Sequence, residues 1–133
     1  MQLSVRVYYE DTDAGGVVYH ARYLHFFERA RTEFLRALGS SQQQLLADSI
    51  AFVVKKMEID YKAPAYLDDV LSVESAICEI RGAKIVFHQR LLRGELLLCE
   101  TFVTVASVNL AKMKPIVIPE TVRQAFHSIL SHT

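Results

Sequence analysis

The chain has 133 residues, with 15 Lys plus Arg against 15 Asp plus Glu, so its formal net charge is zero with His neutral. That length suits one compact domain, and 51% hydrophobic content with five Gly and three Pro excludes disordered and low-complexity architectures. Charge balance argues against nucleic acid as the main partner, because such domains carry a basic surplus or stripe.

The N-terminus reads MQLSVRVYYEDTD, without the basic start, apolar run and small-residue cleavage site of a secretory signal. No stretch free of charged residues is longer than the eleven of Thr101 to Ala111, where a membrane-spanning helix needs roughly 18. A cytoplasmic protein without a membrane span is expected. Cys78 and Cys99 fit neither a disulfide framework nor a metal-ligand spacing, and read as small buried apolar residues of a reducing compartment.

In chain order, Leu3, Val5, Val7 and Tyr9 alternate with Ser4, Arg6 and Tyr8, the period-two pattern of a half-buried strand. Glu10-Asp11-Thr12-Asp13-Ala14-Gly15-Gly16 follows. Acidic residues and two glycines break a ladder and permit unusual backbone angles, so this loop is the first candidate site. From about Ala21 to Leu38 the residues Leu24, Phe27, Ala30, Phe34 and Leu38 recur at helical spacing, with Arg29 and Glu33 placed for an i,i+4 pair and Gly39 for a C-terminal cap. Tyr23, Phe26 and Leu35 widen the apolar stripe, which predicts a long helix enclosed on several sides.

Ser41 and Gln44 match a capping box and predict a short helical turn through Leu45 to Ala47. Four strands are then expected: Ile50 to Tyr61, Val70 to Ile80, Ile85 to Leu92 and Leu96 to Val108, with turns at Arg81-Gly82-Ala83-Lys84 and Arg93-Gly94-Glu95. Short turns imply antiparallel neighbours. Val122, Phe126, Ile129 and Leu130 predict a terminal amphipathic helix beginning at Pro119 or just after it.

Strands this long exceed the usual five or six residues, and a strongly twisted sheet packs one very apolar helix most economically by curling around it. The expected class is α+β: a hot-dog fold over residues 1–133, with a long antiparallel sheet around one central helix. Edge strands and an uncovered sheet face call for a second copy, so a homodimer is the minimum assembly and a dimer of dimers, a homotetramer, the larger one.

The segments YYEDTDAGGVVYHARYLHFFERARTEFLR (8–36), AFVVKKMEIDYKAPAYLDD (51–69) and KMKP (112–115) resemble the 4-hydroxybenzoyl-CoA thioesterase family. More narrowly they resemble its YbgC-type acyl-CoA thioesterases, associated with the bacterial Tol–Pal gene neighbourhood. The resemblance implies a hot-dog fold, a dimer or tetramer, and hydrolysis of an acyl-CoA thioester by the aspartate at Asp13, with the backbone N–H of His20 as oxyanion donor. It also supports an active-site position for the His20 ring. One departure is visible: the residue after His20-Ala21, often Asn in that subfamily, is Arg22 here.

The residues themselves allow the same chemistry. Glu10, Asp11 and Asp13 stand directly before a helix N-terminus, as solvated turn residues or as reacting groups. A carboxylate is ionised at neutral pH, so Asp13 can act as nucleophile, forming an anhydride, or as base on a water. Free N–H groups around Tyr19 to Ala21 can receive the thioester oxygen. Gly15 and Gly16 let substrate approach without a Cβ clash, and Asp11 and Glu10 hold the loop through its own amides. His20 orients water or the Asp13 carboxylate, or caps the helix. Tyr9 and Tyr19 line the acyl pocket or pack in the core. For the CoA phosphates, Arg81 and Lys84 bracket a turn and are the candidate binders, or decorate an ordinary hairpin tip.

Other chemistries fit less well. A calcium loop opening at Asp11 meets Arg22 where a bidentate Glu is required. His25 and Glu28 share a helix face without an HExxH set, and His88, His127 and His132 are scattered, so neither a metal nor another cofactor is expected. No GxSxG, GxGxxG or phosphate-cradling Gly-Lys motif occurs, and no His-Asp or His-Glu pattern of a hydratase is found. The expectation is a thioester hydrolase acting on acyl-CoA, with acyl carrier protein as the other carrier. The alternative is a non-catalytic module that holds such a thioester for a cell-envelope, Tol–Pal-associated partner.

Overall fold

The alternating runs fold as the strands their pattern predicts, and the structure, a computed structural model, describes residues 1–37 and 45–131. In chain order it contains β1 (Gln2–Arg6), a 3-10 turn (Tyr9–Asp11), α1 (Arg22–Arg36), β2 (Ile50–Tyr61), β3 (Val70–Arg81), β4 (Lys84–Arg93), β5 (Leu96–Asn109), β6 (Lys114–Pro115) and α2 (Glu120–Ser131). The sheet is antiparallel throughout, in the order β1-β3-β4-β5-β2, with the short β6 added to β5. β1 and β2 are the two edges, and α1 is the connection between them. The helix therefore lies over the sheet, which curls around it as a half-barrel.

Three register shifts interrupt the ladders, at Val54/Lys56, Ile77/Glu79 and Leu91/Leu92. An extra residue in one strand bends it and raises its twist, which is how strands of ten to fourteen residues curve instead of running flat. The expectation for Cys78 is corrected: it falls on the outward parity of β3 with Ser72, Glu74 and Ala76, where it is exposed and its thiol donates to the Val86 carbonyl at 3.4 Å. Cys99 is fully buried as expected, and burial pushes its thiol up to about 12.

The inner face of β4 reads Ile85, Phe87, Gln89, Leu91, and it divides the core. On one side Tyr23, Phe26, Phe27 and Ala30 of α1 pack with Val5, Val7, Val18, Leu71, Leu91 and Leu98. On the other, Phe34 packs with Ile50, Phe87, Val103, Ile118, Val122 and Phe126. Burying each such large apolar side chain contributes roughly 1.5–3 kcal/mol. Between the two halves runs a buried polar row, since Ser75 pairs with Gln89 and Gln89 with Thr101 across β3, β4 and β5. The Gln89 amide donates to the Phe27 carbonyl at 3.0 Å and to the Ser75 hydroxyl oxygen at 2.9 Å, and its oxygen accepts from Arg31 at 3.0 Å. Gln89 thereby fixes α1 against the sheet through a main-chain acceptor in mid-helix.

Several boundaries differ from the sequence reading. β1 stops at Arg6 rather than Tyr9, because the Tyr8 N–H donates to the Asp11 carboxylate at 2.9 Å and the chain tightens into a 3-10 turn. The alternation still reads correctly, with Val5 and Val7 buried. α1 is open along one flank, where Leu24 keeps 38% of its surface exposed, so enclosure on several sides does not hold for the single chain. β6 carries no strand signal of its own. Leu38, Gly39, Ser41 and Gln44 lie outside the described residues; residues 45–47 are helical as predicted.

Candidate active site

The chain from Val7 to Val18 folds back on itself. Thr12 bridges Val18, and the Tyr19 N–H donates to the Asp11 carbonyl at 3.0 Å, so the two limbs keep antiparallel register. At the tip the Asp13 N–H donates to the Val17 carbonyl at 2.9 Å and the Gly16 N–H to the Asp13 carbonyl at 3.1 Å. Closing so small a loop takes Gly16 to φ +79°, a left-handed angle that favours glycine.

Within this loop the acidic residues divide their labour. Asp11 is the anchor: only 4% exposed, it accepts from the Tyr8 N–H through Oδ2 at 2.9 Å and from Arg22 Nε and Nη2 through Oδ1 at 3.0 and 2.8 Å. Asp13 is exposed. Its Oδ1 accepts from the N–H groups of Gly15 at 2.8 Å and Val17 at 3.4 Å, while Oδ2 has no hydrogen-bond partner among the described residues. A carboxylate oriented by two amides through one oxygen presents its other oxygen to whatever enters the loop. Glu10 is exposed and makes no comparable bond among the described residues, so the loop-holding role falls to Asp11 alone.

The loop is clamped from the far side by residues 62–69. The Val18 N–H donates to Ala65, the Leu67 N–H to Gly16, and Val17 bridges Tyr66. The Ala65 N–H in turn donates to the buried Tyr23 hydroxyl at 3.0 Å. Arg93 secures the clamp with bonds to Asp69 Oδ2 at 2.8 Å and the Pro64 carbonyl at 3.2 Å, its guanidinium 5.6 Å from the Tyr66 ring centroid. Sequence reasoning missed Arg93, Asp69 and Tyr61 because their partners are some 24 to 41 positions away in the chain.

At the head of α1 the N-cap position, Ala21, supplies no side-chain cap. The Arg22 N–H donates to the Tyr19 carbonyl, whereas the N–H groups of His20 and Ala21 have no backbone acceptor among the described residues. The Tyr61 hydroxyl donates to the His20 carbonyl at 3.0 Å. Since a trans peptide points its C=O and N–H in opposite directions, that bond aims the Ala21 N–H away from β2. Burial raises the Tyr61 phenol above its ordinary range, keeping it a donor. In register, Asp13 lies three positions from the level of His20, about 10 Å of backbone.

The loop thus gathers Asp13, Gly15, Gly16, Tyr19 and His20 at the helix N-terminus. Tyr9 is 83% and Tyr19 51% exposed, so neither packs in the core. The His20 ring lies against Tyr19, centroids 4.5 Å apart, and makes no hydrogen bond to Asp13 among the described residues. Arg81 and Lys84 are not brought to this site within one protomer. They flank the turn at the opposite end of β3, about 35 Å along the strand from Val70, and Lys84 pairs there with Glu79 at 3.4 Å.

A long antiparallel sheet curled on one helix is the hot-dog fold of the thioesterases. Residues 7–126 match the model of the thioesterase-like superfamily, and the chain belongs to that superfamily and, within it, to the YbgC-type proteins. It is 60% identical to "Acyl-CoA thioesterase YbgC" of Haemophilus influenzae over 126 residues, covering 94% of this chain and 93% of that one. It is 54% identical to "Acyl-CoA thioester hydrolase YbgC" of Escherichia coli, covering 92% of each. Among solved structures, "Probable Thioesterase from Bartonella henselae" superposes with a TM-score of 0.79 at 42% identity, covering 90% of this chain and 97% of that one. No helix among the described residues is long and apolar enough to cross a membrane.

Proposed function

We propose that this chain is an acyl-CoA thioester hydrolase in which Asp13 attacks the thioester carbonyl or draws the proton from an attacking water. The observation that carries the reading is the Asp13 carboxylate, held by the Gly15 and Val17 amides through one oxygen with the other open, in the loop that leads into α1, where the N–H groups of His20 and Ala21 just before the helix have no backbone acceptor among the described residues. Attack puts negative charge on the thioester oxygen. The His20 N–H, at the positive end of α1, is the donor for it, with the Ala21 N–H beside it. A reacting carbon about 3 Å from the carboxylate and an oxyanion about 3 Å from the amide fit the roughly 10 Å of backbone between the two residues. Collapse expels the CoA thiolate; water then opens the acyl anhydride on the first route, and the acid forms directly on the second.

Gly15 and Gly16 give the substrate its close approach, and Tyr9 and Tyr19 form an aromatic rim for the acyl and pantetheine portions. The His20 ring, lying on Tyr19, orients water at the same mouth. Arg81 and Lys84 reach the CoA phosphates only as the hairpin of a second protomer, in keeping with a cytoplasmic homodimer or dimer of dimers whose edge strand β2 presents Val54 and Tyr61 to solvent. Acyl carrier protein is the other carrier to be compared. Release of free thiol from a panel of acyl-CoA and acyl-carrier-protein thioesters tests the reading. Turnover of at least one supports it, while tight binding of acyl-CoA without thiol release selects the non-catalytic module instead.

A further inference from the structure

Away from the Asp13 loop, the open flank of α1 borders a cavity of about 260 Å³ between the helix, the edge strand β2 and α2. Its walls include the apolar Leu35, Phe52, Phe87 and Phe126, and α1 adds two charged groups, Glu28, which is exposed at the rim, and Arg31, which is half-buried among the apolar walls. A guanidinium there is costly. Burial lowers its affinity for its proton, with the Glu28 charge opposing that only in part, and even so an arginine stays cationic at any physiological pH. One of its five N–H donors is used on Gln89 Oε1 at 3.0 Å. Among the described residues no carboxylate lies within 4.0 Å of it. Thr32, also at the cavity, spends its hydroxyl on the Glu28 carbonyl at 3.1 Å.

The cavity and the proposed oxyanion donors share one side of one helix. Ala21, Leu24, Glu28, Arg31 and Leu35 follow each other at steps of three and four, the spacing of a continuous face, and Leu24 on that path is part-exposed. Ten residues of helix rise about 15 Å from Ala21 to Arg31. The Arg31 side chain leans back toward the helix N-terminus and shortens that span.

We propose that Arg31 is a specificity-determining residue that pairs with a carboxylate or other anionic oxygen at the distal end of the acyl group. The preferred substrates are thus ω-carboxyacyl thioesters of medium chain length. This rests on the thioester-hydrolase reading, because it takes the carbonyl to sit at the head of α1. Apolar walls would accept any chain of suitable length, so discrimination comes from the guanidinium: a terminal methyl leaves its donors unmatched, whereas a carboxylate accepts two of them in a fork.

The test is the ratio of kcat/KM for suberoyl-, sebacoyl- and dodecanedioyl-CoA to that for octanoyl-, decanoyl- and dodecanoyl-CoA. The ratio is taken within one protein and is unaffected by the fraction folded. The unaltered enzyme is expected to favour the diacid member of at least one matched pair by about tenfold, the factor for roughly 1.4 kcal/mol. In Arg31→Gln, which keeps a donor for Gln89, that preference should vanish or invert, and Arg31→Lys should retain part of it. Thiol release with no diacid preference at any length, or an unchanged ratio in Arg31→Gln, overturns the proposal and leaves the hydrolase reading intact. No thiol release from any thioester overturns the hydrolase reading itself.

Discussion

The Arg22 guanidinium donates twice to Oδ1 of Asp11, through Nε at 3.0 Å and Nη2 at 2.8 Å, and ties the first residue of α1 to the base of the acidic loop. The two partners are unequally buried, with side-chain exposures of 30% for Arg22 and 5% for Asp11. The helix thus starts on a residue bonded to the loop that carries Asp13.

That inequality predicts an asymmetric pair of variants. Arg22→Ala strands a buried carboxylate with one backbone donor and should lower stability by about 2 kcal/mol. Asp11→Asn leaves behind an arginine that water can solvate, keeps an acceptor for the Tyr8 N–H, and should cost less. Thermal unfolding of both decides it; equal losses would mean that the pair does not carry the loop.

The two glycines should separate cleanly. Gly16 sits at φ +79°, so Gly16→Ala is expected to cost about 1 kcal/mol and to lower kcat by releasing the amides that hold Asp13. A Cβ at Gly15 would meet only Asp13 Oδ1, at 3.4 Å, so Gly15→Ala should leave the melting temperature near normal while obstructing the substrate. Unfolding and turnover measured side by side check both.

The thiols give a pH-dependent prediction. Cys99, held at about 12 against its ordinary 9.0, should resist a thiol reagent in the native protein, whereas the exposed Cys78 should react. Denaturation should release the second equivalent. The folded state binds the Cys99 proton more tightly than the unfolded chain does, so this group's contribution to stability is constant below about pH 9 and declines as pH rises toward 12. Cys99→Ala should flatten that alkaline decline.

Replacing Arg81 and Lys84 together by Ala should raise KM for acyl-CoA by about tenfold, the effect of roughly 1.4 kcal/mol, and leave hydrolysis of an acyl-pantetheine unchanged. Because the hairpin is remote from Asp13 within one protomer, the effect should require the oligomer, which light scattering at assay concentration checks. Equal losses on both substrates would assign the turn a supporting role in the structure instead.

The strands were legible because alternation holds on the stretches between the bulges: Val5, Val7, Leu71, Val73, Ile85 and Phe87 are inward as their period says. The curl was inferred from strand length, and the bulges that produce it carry no signal at Lys55 or Cys78 that differs from an ordinary strand residue. In the site, the loop and helix start are local and could be read from Asp13 to Arg22. The clamp of Ala65, Tyr66, Asp69 and Arg93 could not, since long-range hydrogen bonds leave no periodic trace. Gln89 carries no local mark that sets it apart from other polar strand residues, although its register neighbours Ser75 and Thr101 make it the centre of a buried row.

The most direct measurement of the central claim is kcat for Asp13→Asn on the best thioester of the panel, with thermal unfolding of the same sample. Asn keeps an oxygen for the Gly15 and Val17 amides and so preserves the loop, but it is neither nucleophile nor base. Turnover is expected to fall about a thousandfold or more with the melting temperature and oligomeric state unchanged. Near-normal turnover in the folded variant would contradict the account and shift the chemistry to another group.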